Sequence, residues 1–403
     1  MPKLASDARV RAARLESHGF KRGLPSIAAA VERLGAVQAQ DFTASKWVLG
    51  SRVRGSTAAD VDSAIEAREI VRSWPLRGTL HLLPPATLRS ILAITGPREV
   101  HRAALRHADL ELDAAVYRKA RSIAERELAG GSRSRAELQE AWEAAGIVTT
   151  GQRGYHLIWW LANDAVVCWG PIEGRGQRLV LLDEWSPGPA GSAAPSDREA
   201  TLAALFLAYV RGHGPATVRD FAWWSGLTLT DARLAHAAVG DAVTAFDDER
   251  LVVADAGWPA DPSAVTRRPT GAFALAAFDE YFLGYTDRTV VCDPEFAGRV
   301  IPGGNGVFQP VLVSRGRVVG TWKRKPGGKA GGGASVIIDP FTTANTADFE
   351  AAFAEWARFW GDQPGEVQLA DRSPTANGRP RPARSPVRER RVTTARARPA
   401  ARG

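Results

Sequence analysis

One pattern recurs along the chain and restricts its fold more than any other. A short capped helix, or a pair of them, is followed by two β-type runs joined through a glycine turn. Near the N-terminus Ser26 stands in the N-cap position before IAAAVERLG, and Gly35 stops that helix. Ile70 to Leu83 then reads as strand, turn at Arg77-Gly78, strand. Ser134 and Glu137, three apart, make a capping box ahead of RAELQEAWEAAG. Val166 to Leu182 follows as VVCWGPI, a basic glycine-rich tip EGRGQ, and RLVLL. Thr217 caps VRDFAWWSG, Gly226 turns the chain, and Thr230 caps DARLAHAAVG, with Ala222, Trp223 and Leu227 placed to pack the pair. Arg250 to Val253 starts a third strand of this kind. A helix-turn-helix with a hairpin is the winged-helix plan, and three copies fill 1–265.

From Gly271 the character changes. AFALAAFDEYFLGY, GVFQPVLV, RVVGTWKRK and ASVIIDP are short β-type runs separated by Gly, Asn and Pro turns, which suits a small antiparallel sheet or barrel. A last helix, Ala347 to Trp360, puts Phe349, Phe353, Trp356 and Trp360 on one apolar stripe, a core face. The expected class is α+β: three tandem winged-helix units and a C-terminal small antiparallel β-barrel or sheet. The expected division is 1–100, 101–185, a Ser/Pro/Gly linker at 186–196, 197–265, 266–370, and a tail at 371–403.

Composition removes several function classes. With 45% hydrophobic residues and thirteen Trp the body is a folded globule. Two cysteines, Cys168 and Cys292, exclude a disulfide scaffold and a Cys-rich zinc site, and fit a reducing compartment. No apolar h-region marks the first twenty residues, and the longest apolar stretch, Leu202 to Val210, is too short for a bilayer. Cytoplasmic placement on the nucleoid, with no membrane partner, is therefore expected. The net charge is +8, but the ten Arg and single acid from Arg372 onward contribute +9, leaving the rest near 8 − 9 = −1. Any nucleic-acid site on the body must be a local patch. The tail lacks large apolar residues and is expected to be disordered. It is either a basic arm on DNA phosphates or a solvated extension. In the first case, removing 372–403 flattens the salt dependence of DNA binding.

Candidate chemistry is sparse. The seven His show no metal-ligand spacing, and His101 and His107 read as solvent-facing. No P-loop, GxGxxG or GxSxG is present, and no metal or cofactor is expected. The oddity is Gln38-Ala39-Gln40, just after the helix stop at Gly35. On an extended segment residues two apart point the same way, so two carboxamides there can grip one water or base edge. Equally, the segment can be a turn whose Gln side chains satisfy backbone groups.

LGAVQAQDFTASKWVLGSR, VRSWPLRGTLHLL, AFDEYFLGYTDR and NGVFQPVLVSRGRVVGTW, taken in order, resemble the bacterial AlkZ-like winged-helix DNA glycosylases. The resemblance covers about 10–360 and leaves out the tail. It implies three winged helices and a β-barrel arranged as a C-shaped DNA clamp. It also implies excision of N-alkylated purines and, for some members, unhooking of interstrand crosslinks. The family's catalytic motif, Gln-apolar-Gln or Gln-apolar-Asp, falls in its Gln-Gln form on Gln38-Ala39-Gln40, with Ala39 a small middle residue.

The chemistry suits two amides. A purine alkylated at N7 or N3 is already cationic and leaves without a strong general acid. What remains is to hold a water under C1′ and to stabilise oxocarbenium charge. Arg77 and His81, in RGTLH, either touch phosphate or pocket, or are a hairpin tip and a satisfied core histidine. Among Asp279, Tyr281, Tyr285 and Arg288, a Tyr can stack on the lesion and Arg288 can hold phosphate; packing within the barrel is the other reading. Lys323, Arg324 and Lys325 make a basic hairpin end that enters a groove or stays solvated. Arg175 and Arg178 on the second wing suit phosphates. Lys46, six residues from Gln40, leaves a Schiff-base route open.

The resulting expectation is a monomeric, monofunctional DNA glycosylase without cofactor. It would act on duplex DNA carrying alkylated or crosslinked purines, with Gln38 and Gln40 catalytic. The alternative is a non-catalytic winged-helix DNA-binding protein, either a transcription regulator or a lesion-binding protein.

Overall fold

The computed structural model describes residues 6–174, 176–187, 197–256, 270–304, 306–325, 333–342 and 346–370. Arg175, most of the 186–196 linker and the tail at 371–403 lie outside the described residues.

The first group of elements runs α1 (Asp7–Ser17), α2 (Ile27–Leu34), β1 (Val37–Gln38), α3 (Phe42–Gly50), α4 (Ala58–Glu66), β2 (Val71–Leu76) and β3 (Thr79–Leu83). Local chemistry sets the starts. The Ser26 side chain accepts the Ala29 N–H, that of Asp41 accepts Ala44, and Thr57 with Asp60 closes a capping box. The β2–β3 turn is Arg77-Gly78, both at positive φ (54° and 65°), the backbone a two-residue hairpin needs.

The second group is α5 (Pro85–Arg102), α6 (Ala104–Asp109), α7 (Ala114–Leu128), α8 (Arg135–Ala144), α9 (Arg153–Asn163), β4 (Val167–Glu173), β5 (Gly176–Leu181) and α10 (Leu182–Trp185). The Ser134–Glu137 capping box forms as expected. The two hairpins are joined: β2 pairs β4 through Arg72 and Trp169, giving one sheet in the order β1-β3-β2-β4-β5. His107 is buried at 4% exposure and stacks on Trp160 at 4.7 Å, so its expected solvent position is corrected.

The third group is α11 (Arg198–His213), α12 (Val218–Ser225), α13 (Leu229–Val239), β6 (Val243–Ala245) and β7 (Leu251–Val253). Thr217 caps α12 and Gly226 ends it at φ 73°. The cap of α13 is Thr228 rather than Thr230, because Asp231 sits at the third helical position from Thr228 and closes the box. Phe221 and Trp224 fill the helix interface, while Trp223 is 43% exposed.

The remainder is β8 (Ala272–Leu275), α14 (Glu280–Leu283), α15 (Ala297–Val300), β9 (Val311–Ser314), β10 (Arg317–Arg324), β11 (Ala334–Pro340), α16 (Glu350–Phe359) and β12 (Pro364–Leu369). Of the expected run AFALAAFDEYFLGY only Ala272–Leu275 is strand; Asp279 caps a helical turn at Glu280–Leu283, which corrects the rest. The sheet of this part, ordered β12-β11-β10-β9-β8, is a curled half-barrel. It is antiparallel except for β11–β12, which pair in parallel. α16 joins those two strands, and a crossover helix delivers a parallel partner. The expected stripe on α16 is core: Phe353 and Trp356 pack on Trp322, at ring distances of 5.2 Å. One hydrophobic cluster runs from α2, α3 and α4 into this half-barrel. The α+β class holds, and among the described residues no helix is long and apolar enough to cross a membrane.

Candidate active site

Gln38 and its neighbours lie on the edge strand β1. Ala39 N–H bonds Leu80 O at 2.7 Å, and Gln38 sits opposite His81. In an antiparallel ladder the residue next to such a bonded position turns its own N–H and C=O outward. The outward N–H of Gln38 is taken by Glu280 Oε1 at 3.0 Å. The Ala39 carbonyl accepts Arg72 Nε and Nη2 at 3.1 and 2.8 Å, while Arg72 Nη1 reaches Gln177 Oε1 at 3.2 Å. Arg72 is buried between Phe42 and Trp169, and burial lowers its pKa to about 10. Every residue of the motif is therefore held by something outside β1.

Both carboxamides are anchored on the β2–β3 hairpin. Gln38, 9% exposed, accepts Arg77 Nη2 at Oε1 over 3.1 Å. Gln40, which is exposed, accepts the Leu80 N–H at Oε1 over 3.3 Å. A guanidinium and a backbone N–H can only donate, so each bond fixes which end of the amide is oxygen. Each carbonyl keeps a second lone pair. Gln40 thus does what a turn glutamine does, satisfying a backbone group, yet remains open to solvent.

Arg77 is half-buried and is the hub of this corner. It donates to Gln38 Oε1, to His81 Nε2 at 3.3 Å and to the Trp224 carbonyl at the end of α12. Its stem passes so close to α12 that a Cβ on Gly226 would lie 3.0 Å from Arg77 Cγ. His81 is wholly buried. Its Nδ1 donates to Thr79 O at 2.9 Å and its Nε2 accepts from Arg77. Burial and the Arg77 charge push its pKa down to about 3. His81 is a neutral acceptor at working pH and is no general acid.

Glu280 was not singled out from sequence. Its carboxylate is fully buried, with Oε2 accepting Trp224 Nε1 at 3.1 Å and facing His213 Nε2 at 3.4 Å. Burial opposes its charge. The His213 hydrogen bond and charge, Arg77 and the Gln38 N–H outweigh that, and the carboxyl lies below its ordinary range. Arg72 and Trp224 were missed as well. An acid inside the apolar run AFDEYFLGY, and an arginine inside the wholly buried β2, were the available signals.

The other expected residues fall elsewhere. Asp279 is inside the protein, bound to both Arg52 nitrogens at 2.9 and 2.8 Å and capping Tyr281 N–H. Tyr281 and Tyr285 are fully buried, their hydroxyls donating to Gly316 O and His213 O, which leaves no face open for stacking. Arg288 is half-buried, bonded to Phe282 O and set against Trp223, Phe282 and Phe308. Arg178 is engaged by Ser132, Glu137 and Glu173. Lys323, Arg324 and Lys325 are exposed at the end of β10, where Arg324 pairs Asp362 and Lys325 bonds Gln368. Lys46 pairs Asp62 at 2.5 Å over the Phe42 ring.

The family model described as DNA glycosylase AlkZ-like matches residues 31–359, a span that contains the Gln motif, the hairpin and Glu280. The interstrand DNA cross-link repair glycosylase of Streptomyces sahachiroi is 27% identical over 327 residues, covering 75% of this chain and 83% of that protein. The solved structure of the Streptomyces sahachiroi DNA glycosylase AlkZ has a TM-score of 0.76 at 23% identity, covering 91% of this chain and 100% of that one, a likeness of fold. With most of its length matched by the family model, the chain belongs to the AlkZ-like DNA glycosylase family.

Proposed function

We propose that the protein hydrolyses the N-glycosidic bond of cationic N7-alkylguanine and N3-alkyladenine in duplex DNA, using a water held by the Gln motif. The observation that carries this is the fixed pair of carboxamide oxygens, Gln38 on Arg77 and Gln40 on Leu80. Gln40 is exposed and its carbonyl is polarised only by a neutral amide, so its free lone pair is the better acceptor for a water O–H. Gln38, whose oxygen is already bonded by a guanidinium, orients and lends its dipole to the developing C1′ charge.

Neutral amides activate water weakly, so the lesion must supply the driving force as a cationic leaving group. His81, held neutral, offers no proton to the base. Lys46, 13% exposed and paired with Asp62, is poorly placed for a Schiff base, which favours a monofunctional hydrolase.

DNA is held, in this reading, by three winged helices and the half-barrel acting as a clamp around one duplex per monomer on the nucleoid. Lys323, Arg324 and Lys325 offer the basic edge. The Streptomyces relative is named for crosslink repair, and crosslinked duplex is included as a substrate here.

The test is base release from duplex containing N7-methylguanine, comparing wild type with Gln38→Ala plus Gln40→Ala. Release by wild type, lost in the double variant with duplex binding retained, supports the proposal. Wild type that releases nothing from this or a crosslinked duplex refutes it in favour of a lesion-binding or regulatory protein.

A further inference from the structure

We propose that Glu280 is a positioning residue for the Gln motif, holding the Gln38 main chain in register while Arg77 holds its side chain. The inference rests on the glycosylase reading above and adds a residue 242 positions away from Gln38.

An edge strand presents N–H groups that nothing in its own sheet can satisfy. β1 is such a strand, and the outward N–H of Gln38 would otherwise be orphaned in a buried setting. Glu280 is the acceptor, and it is itself clamped from two sides. Trp224 Nε1 on α12 donates to Oε2, and His213 on α11 faces the same oxygen. His213 is in turn fixed by Nδ1 donating to Tyr209 O at 3.1 Å.

The packing leaves no slack. A Cβ on Gly284 would lie 2.5 Å from His213 Cδ2, and one on Gly212 would lie 2.4 Å from Arg33 O. α14 and α11 thus touch backbone to ring, and α11 and α2 touch backbone to backbone. α2 leads directly into the motif. These contacts join α14, α11 and α2 into one packed unit beside the motif.

Charge gives Glu280 a second task. The Arg77 guanidinium beside Gln38 Oε1 would repel an oxocarbenium ion forming nearby. The buried Glu280 carboxylate attracts the Arg77 guanidinium and so offsets part of that charge without touching the substrate. The arrangement gives Gln38 a polarised, oriented carboxamide.

The experiment is single-turnover base release from N7-methylguanine duplex, with duplex affinity measured in parallel and the Gln38 amide proton followed by NMR. Glu280→Gln keeps the side-chain length, but its amide must present N–H either to the Gln38 N–H or to Trp224 Nε1–H. Arg77→Lys keeps the charge but cannot serve Gln38, His81 and Trp224 together.

Each variant is expected to lower the single-turnover rate about 10- to 100-fold with affinity changed less than about twofold, since misplacement of about an ångström has that cost. The Gln38 amide of wild type is expected downfield and slow to exchange, and to move upfield in Glu280→Gln. If both variants fold and keep the wild-type rate, the proposal is overturned. A fast-exchanging Gln38 amide in wild type overturns it however the variants behave. If wild type releases no base, the glycosylase reading fails. A protected Gln38 amide would then still uphold Glu280 as the residue that places it.

Discussion

Mild acid should loosen the Gln-bearing corner before any group proposed for the chemistry titrates. The reason is the tautomer of His81. Nε2 accepts from Arg77, so a proton there would put a donor against a donor and a cation against a guanidinium. The folded protein resists that proton, with a pKa of about 3 against an ordinary 6.5, while the unfolded chain accepts it readily. Because the unfolded state binds more protons between those values, stability falls as pH drops through 6.5 and levels off near 3.

At pH 5 the unfolded His81 is about 1.5 units below its midpoint, and at about 1.4 kcal/mol per unit the loss is about 2 kcal/mol. His18, lowered by burial and by His213, Arg52 and Arg14, and His107, lowered by burial and His156 to about 4, act in the same direction. A difference of differences isolates His81. Urea unfolding at pH 7.5 and 5.0 is compared for wild type and His81→Gln, whose amide can still accept from Arg77 but does not titrate. The variant should lose about 2 kcal/mol less than wild type on acidification. Equal losses in the two proteins would refute the assignment of a buried neutral His81.

Two further substitutions probe the same corner. Gly226→Ala forces an alanine to φ near 73° and sets a Cβ against Arg77 Cγ; stability should fall by about 1–2 kcal/mol, and single-turnover base release should fall with it as Arg77 leaves Gln38. Arg72→Met keeps an apolar stem between Phe42 and Trp169 but leaves the buried Ala39 carbonyl without its two guanidinium donors. The cost should be about 1–3 kcal/mol in urea unfolding, and Arg72→Lys, whose donors all sit on a single nitrogen, should lie between Met and wild type.

What was legible in the sequence was local. Capping by Ser26, Ser134 and Thr217 depends on residues three apart, and the Arg77-Gly78 turn on two adjacent residues. The Thr228 cap was misplaced by two residues because Thr230 is also a good cap by type, and only the Asp231 hydrogen bonds decide between them. Trp223 and Trp224 differ by one position on one helix, and the face that turns inward is set by Phe206, Tyr209 and Phe221 packing around Trp224. The fusion of two hairpins into one sheet and the parallel β11–β12 pair are long-range events with no local signature. At the candidate site, the Gln38–Gln40 motif is legible in the sequence, whereas the residues that hold it are not. Arg72, Trp224 and Glu280 look from sequence like ordinary members of a strand, a helix and an apolar run.

The adjacent acids Asp279 and Glu280 show why a motif can be read without its meaning. Asp279 caps α14, so its side chain turns back to the Tyr281 N–H and meets Arg52 just past α3. Glu280 begins the helix, and successive residues on a helix diverge by about 100°, so it points instead to β1. One short turn therefore braces the Gln motif on both sides: Gln38 directly, and through Arg52 the helix α3 that Asp41 caps right after Gln40. The two acids should then separate under mutation. Asp279→Asn strands a fully buried guanidinium and should cost about 3 kcal/mol or more, read as a lower urea midpoint. The molecules that remain folded should release base at the wild-type rate, since Gln38 keeps its acceptor. A rate loss in Asp279→Asn as large as that in Glu280→Gln would show that bracing α3 matters to the reaction as much as holding β1, and the separation of roles would be wrong.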